Sequence, residues 1–219
     1  MSVSSPKSKS DAKPRERSWS SSRGRLRDSS VNNRVEPRTG AKPLILVRHS
    51  IPKIEKSRCA HEWQLSADGV VRAKTLGRQL VPLGTDHIFS SCEPKAAQTA
   101  SAIAQVLSLD RTEIPELGEH DRRSVPFYDD PEEFRRLVRT MFERPEERVF
   151  GGESATEALA RFSRGIAEVR RSRSKMPIVV SHGTVISLFL SQQSRRSATS
   201  IWEELTMPCA IDTNGRLLL

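Results

Sequence analysis

Hydrophobic residues fall into short unbroken runs separated by segments in which they recur every three or four positions. Residues 43–49 read Pro-Leu-Ile-Leu-Val-Arg-His, an aliphatic run that ends abruptly in polar residues, as a strand buried on both faces does. Residues 86–90 and 177–181 repeat that pattern. Behind Ser66, a residue suited to cap a helix, Val70, Ala73, Leu76, Leu80 and Leu83 recur at helical spacing. Ala97, Ala100, Ile103, Ala104 and Leu107 form one face of a helix over residues 94–107. Residues 111–130 follow neither period and read as irregular. A helix is predicted over 131–142, with Pro131 in the tolerated first turn. After Gly151-Gly152 the longest helix is predicted over 154–172, on the stripe Ala155, Ala158, Leu159, Phe162, Ile166 and Val169. A helix over 184–190 follows. Residues 206–212, an Asn214-Gly215 turn and residues 216–219 read as a terminal hairpin. Strands alternating with helices predict an α/β three-layer sandwich, with a mostly parallel central sheet, helices on both faces and at least one antiparallel strand.

Residues 1–41 stand apart, because they are Ser, Arg, Lys and Pro with almost no aliphatic side chains and cannot offset the entropy of ordering. They are expected to form a disordered basic tail ahead of one domain over 42–219. The net charge of +9 has the same origin: residues 1–43 hold eleven Lys or Arg against four Asp or Glu, leaving 25 basic and 23 acidic residues beyond them. Nucleic-acid binding is therefore expected only through the tail. A tether to an anionic partner, a phosphorylation target and a plain solubilising extension all remain open for it. Its Arg- and Ser-rich composition also suits an organelle transit peptide, but Asp11, Glu16 and Asp28 and the lack of an amphipathic period speak against that. Three scattered cysteines, Cys59, Cys92 and Cys209, fit neither a disulfide framework nor a zinc site, so a cytoplasmic location is expected. No apolar run is long enough to span a bilayer, so no membrane partner is expected.

Chemistry concentrates where two of the five histidines directly follow aliphatic strands, at Arg48-His49-Ser50 and Ser181-His182-Gly183. Ligands of open α/β sheets bind at such strand ends. On pattern alone, both could simply cap buried strands. A phosphoryl group in transfer spreads negative charge over three oxygens and needs cationic neighbours. Arg48 beside His49 supplies one, since a guanidinium clamps phosphate oxygens and disfavours protonation of the adjacent imidazole.

These residues and three further motifs resemble the histidine phosphatase superfamily, branch 1, the phosphoglycerate-mutase-like group. Its opening Arg-His-Gly corresponds to Arg48-His49-Ser50, and Leu65-Ser66-Ala67-Asp68-Gly69 corresponds to its first helix start. Residues 90–100, Ser-Ser-Cys-Glu-Pro-Lys-Ala-Ala-Gln-Thr-Ala, follow its Ser-Ser-Pro-x-x-Arg-Ala-x-Gln-Thr-Ala. Gly152-Glu153-Ser154 precedes the long helix, and residues 179–183 carry the second histidine.

The resemblance implies His49 as the phosphorylated nucleophile, with Arg48, Lys95 and His182 around the phosphate. Lys95 stands where relatives carry Arg, which keeps the charge but loses the bidentate fork. Ser50 replaces a glycine, either crowding the backbone or adding a hydroxyl to the pocket. Leu117-Gly118-Glu119 fits the segment that supplies the acid, making Glu119 the general acid/base and Glu116 its less favoured neighbour. His61 falls in a loop that lines the substrate pocket in relatives, and Arg122 and Arg123 could read an acidic substrate.

The expected function is that of a phosphomonoesterase working through phosphohistidine, with no cofactor and no metal. Its substrate would be a phosphorylated small molecule or a phosphoprotein. A phosphoglycerate-mutase-type phosphotransferase is disfavoured because relatives of that kind carry Glu-Arg-x-Tyr-Gly where this chain has Glu119-His120-Asp121-Arg122-Arg123. A phosphate-binding or scaffold protein of weak activity is the alternative from another class, motivated by Ser50 and Lys95. The oligomeric state stays open.

Overall fold

The computed structural model describes residues 42–219, so the expected tail lies outside the described residues. Five strands form one sheet: β1 (Ile45–Arg48), β2 (His87–Ser90), β3 (Arg111–Glu113), β4 (Pro177–Ser181) and β5 (Cys209–Asp212), in the order β3-β2-β4-β1-β5. Pairs β3-β2, β2-β4 and β4-β1 are parallel, whereas β5 runs antiparallel to β1 at the edge.

Alternation along these strands divides the core. Ile45, Val47, Ile88, Ile178 and Val180 pack on one face with α1 (Ala67–Leu80) and α2 (Pro94–Leu107). Leu46, Phe89, Val179 and Ile211 pack on the other with α3 (Pro131–Glu143), α4 (Ala155–Arg171), α5 (Gly183–Gln193) and α6 (Ala198–Glu204). The three-layer sandwich follows from burying both faces of a parallel sheet.

Local signals set the helix boundaries. Ser66 accepts a hydrogen bond from the Gly69 amide at the start of α1, and Pro94 occupies the first turn of α2. Ser154 and Glu157 form a reciprocal capping box at α4.

Three expectations need correction. Within the segment read as irregular, Arg111–Glu113 forms β3; its three residues are all exposed and polar, so no apolar pattern marks it. Helix α6 was not anticipated. The terminal hairpin is present but its returning arm is not a full strand: it meets β5 through an isolated bridge between Ile211 and Leu217 and through backbone hydrogen bonds, the Leu218 amide donating to the Ala210 carbonyl at 2.8 Å and the Asp212 amide to the Arg216 carbonyl at 3.0 Å. Among the described residues no helix is long and apolar enough to cross a membrane.

Candidate active site

Strands β1 and β4 lie side by side and end together, which sets the two histidines at one edge of the sheet. The His49 amide donates to the Ser181 carbonyl at 2.8 Å, and the His49 and His182 rings meet edge-on with centroids 5.1 Å apart. Gly183 permits this approach on the α5 side, because a Cβ there would stand 3.1 Å from Arg48 Nε and 3.2 Å from its Cζ.

His49 is buried, and its Nδ1 lies 2.7 Å from the Ser50 carbonyl oxygen. A carbonyl can only accept, so Nδ1 carries the proton and Nε2 keeps a free lone pair. Burial holds the imidazole well below its ordinary pKa, and His182 and Lys95 add to the effect. Arg48 donates through Nη1 to the Leu205 carbonyl at 2.5 Å, while its buried Nε has no hydrogen-bond partner among the described residues.

Glu119 arrives from a different direction, on the segment after the short helical turn Pro115–Leu117. Arg161 of α4 fixes that segment by donating to the carbonyls of Glu116 and Gly118 at 2.9 Å each and of Glu119 at 2.8 Å. The same guanidinium reaches Glu153 Oε1 at 2.5 Å, and that oxygen also accepts from the Asp121 amide. Residues 152–154 thus serve as the buttress of the acid-bearing loop. The Glu119 carboxylate accepts from the His120 amide at 2.9 Å and the Thr184 amide at 3.3 Å, and Arg122 Nη2 lies 3.5 Å away. Burial pushes this carboxyl up, but Arg122 and His182 outweigh it and leave the group below the usual range.

Lys95 reaches the site from the first turn of α2, but not as a free cation. Its ammonium lies 2.5 Å from Glu93 Oε2 and 2.7 Å from the Ala60 carbonyl, with both side chains of the pair almost wholly buried. The expected positive charge is therefore compensated inside the protein. Glu93 is the residue the sequence reading missed. It accepts from the Glu119 amide at 2.7 Å and lies 3.4 Å from His182 Nε2 and 3.5 Å from His61 Nδ1. Burial would raise its pKa, yet His182, His61 and Lys95 hold it far below the carboxylate range. An acidic residue beside a proline at a helix start is an ordinary first-turn choice, so nothing in the sequence set it apart.

His182 is fully buried, and neither ring nitrogen has a hydrogen-bond partner among the described residues. Desolvation pushes its pKa down to about 4, against the raising effect of Glu93.

A cavity of about 400 Å³ opens onto Arg48, His49, Lys95, Glu119, Arg122 and the start of α5. Arg122 lines it, whereas Arg123 is exposed and paired with Asp121. Ser50 does not line it: the residue is buried, its amide donates to Thr99 Oγ1 at 3.0 Å, and its hydroxyl has no partner. Of the two earlier alternatives for Ser50, the added pocket hydroxyl is therefore not realised. His61 is half exposed and sits beside the cavity in a smaller recess with Glu93, Lys95, Glu119, His120 and Arg122. Among the described residues no three His, Cys, Asp or Glu side chains are grouped to hold a metal ion.

Similar proteins share this architecture. Mycobacterial hydrolase 1 superposes with a TM-score of 0.62 at 19% identity, over 78% of this chain and 92% of that one. The α-ribazole phosphatase of Shigella flexneri gives 0.59 at 23% identity, over 78% and 90%. A mycobacterial glucosyl-3-phosphoglycerate phosphatase gives 0.59 at 18%, over 82% and 98%. No protein with a curated description matches in sequence. At these identities the structures speak for the fold. The family itself is shown by the sequence profile of the histidine phosphatase superfamily (branch 1), which matches residues 44–213. Since that match spans every strand and helix of the sheet just described, the chain belongs to the histidine phosphatase superfamily, branch 1.

Proposed function

We propose that the chain hydrolyses phosphomonoesters through a phosphohistidine formed on His49. The observation that carries this reading is the tautomer of His49: Nδ1 is committed to the Ser50 carbonyl, and burial keeps the ring neutral. Nε2 is therefore a standing nucleophile beside the Arg48 guanidinium, in a side chain that lines the cavity.

In the first step Nε2 bonds to phosphorus and the ester P–O bond breaks. Arg48 faces the oxygens on which charge gathers. Glu119 protonates the departing alkoxide. Before substrate binds, Glu119 is ionised at neutral pH, so the proton arrives with the substrate as a phosphate monoanion. Water then attacks the phosphohistidine, Glu119 takes its proton, and the N–P bond breaks to release inorganic phosphate. Lys95, paired with Glu93, contributes position and hydrogen bonds more than net charge.

Hydrolysis of p-nitrophenyl phosphate by the full chain, with chelator present, tests the reading. Wild type should turn over, His49→Ala should lose at least about 10³-fold in kcat, and rapid quench in alkaline detergent, which preserves the acid-labile N–P bond, should trap up to one phosphoryl group per chain. Activity that survives His49→Ala would overturn it.

A further inference from the structure

The cavity does not end at the phosphoryl-transfer groups. It continues outward between the loop after β1 and the segment after Glu119, where Trp63, Phe127, Tyr128, Phe134, Trp202 and Met207 form its walls. All six are half-buried, with rings arranged as neighbours: Trp63 and Phe127 at 6.0 Å, Tyr128 and Phe134 at 6.3 Å, Phe134 and Trp202 at 6.3 Å between centroids. Ile54 stands in the same wall with 58% of its surface exposed. An apolar wall left open to water beside a reactive histidine is a binding surface, since covering it with an apolar group is favourable.

The polar inventory of the outer cavity points the same way. Among the described residues no Asp, Asn, Gln or Ser lines any part of the cavity. The Trp63 indole N–H is used on the Glu55 carbonyl at 3.0 Å, and Arg58 is paired with Glu55 at 3.1 Å. The Arg122 guanidinium carbon stands over the Phe134 ring, 5.0 Å from its centroid, which extends the wall. Among the described residues, only Arg58, Arg122 and the Tyr128 hydroxyl offer polar side-chain atoms along the outer cavity beyond the Trp63 and Trp202 indoles, so most hydroxyls of a polyhydroxylated leaving group would be buried without a partner, and each of those weakens binding. A planar apolar group would lose little and cover rings on both sides. The volume of about 400 Å³ suits such a group together with a phosphate.

We propose that the substrate is the phosphate monoester of an alcohol carrying a bulky aromatic or similarly planar apolar group, held by this aromatic wall while the phosphate meets His49. The proposal rests on the phosphatase reading above for its orientation.

The test compares 2-(2-naphthyl)ethyl phosphate with glucose 6-phosphate and glycerol 3-phosphate on the full chain. All three release a primary alkoxide, so intrinsic reactivity is matched and differences in kcat/KM report recognition. The naphthyl ester should exceed the other two by about 100-fold. Phe127→Ser should narrow that ratio by about tenfold. Equal kcat/KM for the three esters, or a ratio unmoved by Phe127→Ser and by Trp63→Ser, overturns the substrate class and leaves the phosphatase reading standing.

If wild type hydrolyses none of the three, nor p-nitrophenyl phosphate, the phosphatase reading fails instead. The wall is then read by calorimetry with unhydrolysed ester: preferential binding of the naphthyl compound supports the proposed ligand class, and equal or absent binding overturns it.

Discussion

Lys95 and Glu93 form a buried ion pair at 2.5 Å within the residues expected to cradle phosphate. Removing one member of such a pair leaves the other charged and unsolvated, which typically costs about 3–5 kcal/mol. Lys95→Met should therefore destabilise the protein by that amount in urea unfolding. The double variant Lys95→Met, Glu93→Leu should recover all but about 1–2 kcal/mol, the remainder reflecting the Glu119 amide that loses its acceptor. A single variant as stable as wild type would show that the pair is not held together in solution.

The state of His49 predicts a pH response. The reactive form is neutral, and its pKa is well below 6.5 because of burial, His182 and Lys95. The nucleophile is thus available above that lowered value and is lost only as pH falls through it. Carbon-13 histidine NMR should place the His49 titration below 6.5, and kcat should show no acid limb centred at 6.5. A His49 resonance titrating near 6.5 would contradict the buried geometry.

His182 makes a separate prediction about stability. Its folded pKa of about 4 lies below the ordinary 6.5, so between these values the unfolded chain binds a proton that the folded one refuses. Stability is then fully present above pH 6.5 and declines as pH falls toward 4, by about 3 kcal/mol from this group. His49 acts in the same sense, whereas the loss from protonating Glu93 begins lower, below its ordinary value of 4.5. His182→Asn should flatten the decline between pH 6.5 and 4.5 in urea unfolding without abolishing it. A slope identical to wild type would mean that His182 protonates freely in the fold.

How much of this was legible beforehand differs by element for physical reasons. His49 and His182 stand out because buried strands end in a sudden change of polarity, and α2 was legible from Pro94 and a regular alanine face. The exposed strand β3 carries no apolar residue, and its place comes mainly from backbone pairing with β2. Glu93 looked like a helix-start acid, and its meaning appears only when Lys95, His61, His182 and the Glu119 amide converge on it. The aromatic wall was hidden for a similar reason. Phe127 and Tyr128 sit in a segment without periodicity, while Trp63, Phe134 and Trp202 come from three distant parts of the chain.

Arg161 offers a way to separate positioning from chemistry. It touches none of the cavity-lining side chains through its guanidinium, yet it holds the carbonyls of Glu116, Gly118 and Glu119 and the carboxylate of Glu153. Arg161→Ala should let the Glu119 carboxylate wander, and a misplacement on the scale of 1 Å can cost about 10²-fold in rate. The loss should depend on the leaving group. A p-nitrophenolate departs without a proton and hardly needs Glu119, whereas a primary alkoxide needs the acid as its bond to phosphorus breaks. With KM little changed, kcat for an alkyl phosphate should therefore fall about 10²-fold, and kcat for p-nitrophenyl phosphate by less than about tenfold. Glu119→Gln should show the same asymmetry more strongly. If Arg161→Ala lowers both rates equally, the residue merely supports the fold, and the link drawn from α4 through the loop carbonyls to the acid is broken.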